Sequence, residues 1–254
     1  MNQSFNFTRF GRLLRKHTTE HLLSYLLQTA ALFGGLALLM GGLSYLMSAP
    51  LSDGAQTVLF IFTLLGGGFL FASAAFREYG AGRQAATALT LPASQFEKYL
   101  VAWLYSLPVF LMVFTAAFYA ADWLVMQINA LRGPVPPLIN IFEDNKGWGV
   151  LILALLLHAV AFWGSIYFKK LQLVKTGCVA LGAFVVLLLV NYQLVRVLLG
   201  TKIQLALPFG AVMLPSGPPL HLPTAHLPWQ ALVELVLAAL LWAAAYARLT
   251  EKQL

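Results

Sequence analysis

Charge is scarce in this chain. Only 10% of its 254 residues are Asp, Glu, Lys or Arg, while 60% are hydrophobic, and the mean hydropathy is +0.78. A soluble domain carries about a quarter charged residues, so one water-soluble core is excluded and an integral membrane protein remains. Acidic residues are scarcest, nine against sixteen basic. The basic residues stand thinly at the ends of apolar runs and do not cluster with aromatics. That excludes a nucleic-acid surface and fits topology signals and contacts with anionic lipids. Cysteine is nearly absent: Cys178 stands alone in an apolar run, which leaves no disulfide framework and no metal-type Cys pair. Gly-x-Ser-x-Gly, His-Glu-x-x-His and the P-loop Gly-x-x-x-x-Gly-Lys-Ser/Thr are missing, as are paired intramembrane carboxylates. The apolar runs also lack the series of ionisable groups that a proton- or sodium-coupled carrier needs. The chain therefore reads as non-enzymatic, with no metal, and binds no ATP through a P-loop.

What is present is a series of long apolar segments. Residues 1–21 form a polar, basic arm in which Phe5, Phe7, Phe10, Leu13 and Leu14 interleave with Arg9, Arg12, Arg15 and Lys16. On a helix these give an apolar stripe beside a basic face, the pattern of an interfacial amphipathic helix. His17 and His21 share a helix face but lack a third ligand, and read as interfacial polar residues. The following apolar segment is too long for the core of a signal peptide and reads as a retained span. A hydrocarbon core of about 30 Å takes roughly 20 helical residues. Six segments meet that length: about 22–47, 55–76, 99–126, 148–168, 175–195 and 229–246. The glycines at 34, 35, 41, 42 and 66–68 predict close helix approach. Pro108 predicts a kink inside the third span.

Residues 77–98 are the longest polar interruption of the first half. Gly80 and Gly82 loosen the chain, Gln84 to Leu91 suit a short helix, and Pro92 ends it. Ser94-Gln95-Phe96-Glu97 matches a capping box that starts a helix running into the third span. Residues 127–147 read as an outer loop. The segment from Val195 to Pro228 carries too many prolines for a regular helix, and its apolar first part dips into the membrane or caps the bundle. Arg9, Arg12, Arg15, Lys16, Arg77, Arg83, Lys98, Lys169, Lys170, Lys175, Arg248 and Lys252 fall on one side. Arg132, Lys146, Arg196 and Lys202 fall on the other. Twelve against four makes the first side cytoplasmic. The expected fold is an all-α polytopic membrane protein, one transmembrane domain of six helices with both termini cytoplasmic.

Few polar residues fall at bilayer depth. His158, Asn191 and Glu234 form the candidate intramembrane polar site, with Asp122 late in the third span. Asp122 and Glu234 lie near segment ends, where solvation or a structural hydrogen bond accounts for them. His158 reads either as functional or as a neutral histidine bonded to a neighbouring helix. His221 and His226 have no third ligand nearby.

The basic N-terminal helix, the six spans and the helical loop after the second resemble the membrane (permease) subunits of type-2 ABC exporters. The string ALTLPASQFEKYLVAWL, Ala88 to Leu104, is similar to the loop-to-span junction of small permease-like proteins of the Bacteroidetes group. This resemblance implies a bacterial inner-membrane location. It also implies a coupling loop, at residues 77–98 here, that docks on a separate ATPase subunit; ATP would be bound there, with no cofactor in this chain. Carried over, Gln84 to Leu91 would be the docking helix, with Ala86 and Leu89 on it. Arg77, Glu78 and Arg83 would be its polar contacts. The resemblance further implies a homo- or heterodimer of permease chains among membrane lipids, and an outer re-entrant region before the last span, from which this proline-rich segment departs. A membrane anchor that binds a soluble partner through the same loop is the alternative.

Overall fold

The computed structural model describes residues 5–76, 94–131, 134, 136–140, 146–168, 171–200, 203–208, 212–215, 220 and 227–251. The expected docking residues Arg77, Glu78, Arg83, Gln84, Ala86, Leu89 and Leu91 lie outside them. The described chain is all-α apart from two short strands. Its helices are α1 (Phe7–Met47), α2 (Asp53–Ala74), α3 (Gln95–Ala130), α4 (Lys146–Tyr167), α5 (Gln172–Leu199) and α6 (Leu227–Glu251). All six are long and apolar enough to cross a membrane.

Two elements differ from expectation in form. The basic arm and the first span are one uninterrupted helix of 41 residues, about 60 Å at 1.5 Å per residue. Asn6 caps it, accepting from the Thr8 and Arg9 N–H groups. Ser48, in the left-handed region at φ 52°, ends it. Nothing in the 17–25 stretch breaks an α-helix, since its β-branched Thr18 and Thr19 bond back to carbonyls one turn earlier. The arm is thus an extension of the first span, not a separate element. In α3, Pro108 has no N–H to donate and its ring crowds the carbonyl of Leu104. The helix accommodates this as one wide π-turn over Tyr105–Val109 and continues as α-helix from Phe110.

The core has two layers, one on either side of that turn. The first contains Leu36 and Met40 of α1, Phe60 and Leu64 of α2, and Phe114, Phe118, Val125 and Met126 of α3. The second contains Phe76 after α2, Tyr99 of α3, Phe162 and Ile166 of α4, and Ala245 and Leu249 of α6. Helix α4 is the hub, packing on α2, α5 and α6, while α1 packs chiefly on α3. Helices α1 and α5 are the least buried of the six, and their outer faces are leucine- and valine-rich, as lipid contact requires.

The first residues of the proline-rich segment, to Leu199, continue α5 and its last two begin α6; the described residues between them make no helix. Strand β1 (Leu205–Ala206) pairs antiparallel with β2 (Val212–Met213). Val212 and Leu220 exchange backbone hydrogen bonds of 2.9 Å. The Asn191 amide donates to the Ala206 carbonyl at 3.1 Å and the Tyr192 hydroxyl to the Ile203 carbonyl at 3.2 Å. The segment therefore caps the end of α5 as a small hairpin, where the resemblance implied re-entrant helices. Prolines withhold the donors a helix needs, and the side chains of α5 supply donors instead. Similarly, Gln56 accepts from the Ile139 N–H at 3.2 Å and Tyr119 donates to its carbonyl at 3.1 Å, pinning the α3–α4 connection.

Candidate functional site

The start of α3 leads the span out of the 77–93 segment. The capping box predicted there is present: Ser94 Oγ accepts from the Glu97 N–H at 3.2 Å, and the Glu97 carboxylate accepts from the Ser94 N–H at 3.0 Å. Glu97 also accepts from the Asn6 N–H at 2.9 Å, from Arg9 Nε at 2.7 Å and from Arg9 Nη2 at 2.7 Å. Its side chain is 0% exposed, while Arg9 is 33% exposed. One carboxylate thus caps α3 and clamps it to the start of α1. Burial alone would push this carboxyl up. The hydrogen bonds from Arg9, Asn6 and Ser94, with the Arg9 charge, outweigh it and hold the carboxyl below its ordinary value.

Apolar contacts complete this block. Phe96 packs edge-on to Phe5 and to Tyr246, with ring centroids 5.8 Å and 5.9 Å apart. Tyr99 donates to the Trp242 carbonyl at 2.9 Å. Phe76, the last described residue before the loop, packs on Phe162 at 4.8 Å. Both described borders of the 77–93 segment therefore lead into one core layer with α4 and α6. The Arg9–Glu97 pair was not visible in sequence because its members are 88 residues apart. The one signal was a lone glutamate opposite a basic arm.

The second constellation lies at the π-turn. His158 is 3% exposed. Its Nδ1 accepts from Trp242 Nε1–H at 3.2 Å, and its Nε2 lies 3.0 Å from Ser106 Oγ, which bonds onward to the Trp103 carbonyl at 3.2 Å. An indole N–H only donates. Nδ1 is therefore the lone-pair nitrogen, and Nε2 carries the proton towards Ser106. The imidazole is fully used in joining α3, α4 and α6, which favours the structural reading of His158. Beside it is a mostly apolar crevice lined by Leu64, Gly68, Ser106, Phe110 and Ala154, with roughly the room of a single water.

The other candidates do not join His158. Asn191 is bonded to the hairpin, as described. Glu234 accepts from Gln230, one turn earlier on α6, at 2.9 Å. No hydrogen bond links any two of His158, Asn191 and Glu234 among the described residues. No group of three or more His, Cys, Asp or Glu that could hold a metal ion occurs among them either. His17 and His21 pack ring on ring at 4.6 Å, and His17 Nε2 is 2.7 Å from the Tyr25 hydroxyl. Asp122 meets neither expectation made for it. It is fully buried, and neither carboxylate oxygen has a hydrogen-bond partner among the described residues. Helix α3 runs on to Ala130, two turns past Asp122, which keeps it from the water expected near the span's end.

No protein-family model, no curated protein and no solved structure matches this chain; what the fold itself establishes is a multi-pass membrane protein of six helices.

Proposed function

We propose that this chain is the permease half of an ABC-type exporter, a non-enzymatic membrane subunit moved by a separate ATPase that binds the ATP. The observation that carries the reading is the clamp at the start of α3. A force applied to the 77–93 segment meets a helix whose first turn is capped by Ser94 and Glu97 and tied by Glu97 to Arg9. Tyr99, next along the helix, packs in the second core layer with Phe76. Such a block passes a push into the bundle without fraying. Two copies, or one copy with a related chain, form the transporter in a bacterial inner membrane. The apolar character of the spans suits a lipid-like or amphipathic cargo. Docking falls to Arg77, Glu78, Arg83, Gln84, Ala86, Leu89 and Leu91.

The second reading is a membrane anchor or assembly protein that binds a soluble partner through the same loop without moving a substrate. It is favoured by one observation: His158, Asn191 and Glu234 are each bonded locally, and no hydrogen bond joins any two of them among the described residues. The test is a pull-down in mild detergent from native membranes, comparing wild type with Arg83→Glu plus Ala86→Asp. Co-purification of an ATPase, lost in the variant while the chain still inserts, is the expected result. Wild type that brings down no ATPase moves the anchor reading ahead.

A further inference from the structure

We propose that Asp122 is an intramembrane proton-binding site, and that the seam between α1 and α3 packs closed over its acid form. The side chain is 0% exposed, and both oxygens lack a partner among the described residues. On α3 it shares its buried face with Phe118, Ala121, Val125 and Met126, which belong to the first core layer with Leu36 and Met40 of α1. Elsewhere the buried polar side chains of this layer are bonded: Ser44 to the Ala49 carbonyl, Gln56 to Leu51 and Ile139. Asp122 is the exception, and an ionised carboxylate left dry and unpaired is far costlier than a neutral one.

From the described residues of α1, α2 and α3 no counter-charge faces it, and on α4, which lends Val150 and Ala154 to this layer, His158 is already bonded to Trp242 and Ser106. Helix α1 has no Lys, Arg or His from Leu22 to Met47, only Tyr25 and Tyr45. Helix α2 has none either, and its one titratable residue is Asp53 at its start. On α3 itself only Tyr119 is near, and it is bonded to the Ile139 carbonyl. The proton is the cation small enough for a seam packed this closely. It would come and go only when α1 and α3 separate, so proton occupancy and seam opening are two readings of one equilibrium. This does not depend on whether an ATPase drives the chain.

The experiment treats the full chain in membranes with dicyclohexylcarbodiimide, which reacts with protonated carboxyls in apolar surroundings. The carboxyl oxygen adds to the central carbon, the proton passes to nitrogen, and rearrangement leaves a stable acylurea with no leaving group. Peptide mass mapping should find the label on Asp122 several-fold above solvent-exposed Asp53. No excess on Asp122 overturns the proposal. Melting in detergent is the second measurement. As pH rises from the acid range, wild type should lose stability relative to Asp122→Asn as the seam is forced to hold a carboxylate. Equal shifts in the two proteins overturn it. Should Asp122→Asn fail to fold, the labelling of wild type decides alone.

Discussion

At the scale of single residues, α4 and α5 meet at a glycine with no room for a side chain. A Cβ built on Gly164 of α4 would collide with Thr176 Oγ1 and stand 2.7 Å from Thr176 Cβ. Thr176 Cβ is fixed to the α5 backbone, so no rotamer relieves the clash. Gly164→Ala should cost about 1–3 kcal/mol through overpacking, seen as a lower melting temperature in detergent. Gly177→Ala, with nothing within 4 Å, should cost none. The glycine runs that stood out in sequence behave differently. A Cβ added at Gly67 or Gly68 would come within 3.6 Å or 3.3 Å of the Phe110 ring, yet one added at Gly34, Gly35, Gly42 or Gly66 would meet nothing within 4 Å. A small residue permits close approach; whether a partner uses it is decided by a helix elsewhere in the chain, and composition does not carry that. Asp122 was misjudged for a related reason. Its distance from water depends on how far α3 continues, and hydropathy marks helix ends poorly.

At the scale of elements, local rules were legible and long-range ones were not. The capping box at Ser94, the failure of the proline-rich segment to form helix and the accommodation of Pro108 each depend on a few neighbouring residues. The clamp between α1 and α3 depends on residues 88 apart. It makes a specific prediction. Arg9→Ala and Glu97→Gln should each lower the melting temperature, and the double variant should lose less than the sum, since both remove one interaction. The pH dependence has a definite sign. A carboxyl held low in the folded state contributes stability above its unfolded value and loses it as pH falls through its lower folded value. Wild type should therefore lose its advantage over Glu97→Gln on acidification. An unchanged gap across the acid range would detach Glu97 from the stability of this block.

At the scale of the whole molecule, hydropathy alone sufficed for the six spans, because each must bury its backbone within one helix. Orientation rests on the uneven placement of basic residues. Replacing Cys178 in a first step gives a chain without cysteine, into which single probes can be placed at exposed positions. Ser52→Cys, between α1 and α2, should react with a membrane-impermeant maleimide in intact cells. Thr19→Cys, on the basic arm, should react only after the membrane is opened. The reverse pattern would invert the molecule and move the loop away from any cytoplasmic partner.

The pairing of α1 with α3, not with its sequence neighbour α2, has a bearing on biosynthesis. The first two helices leave the ribosome before their principal partners: α1 awaits α3, and α2 awaits α4. Arg9 is made first and stays without Glu97 until the third helix emerges. The first two helices must therefore be stable as separate guests of the lipid. The bundle can close only once the fourth has been delivered, so a chain interrupted before then would leave inserted helices with no one to fold against.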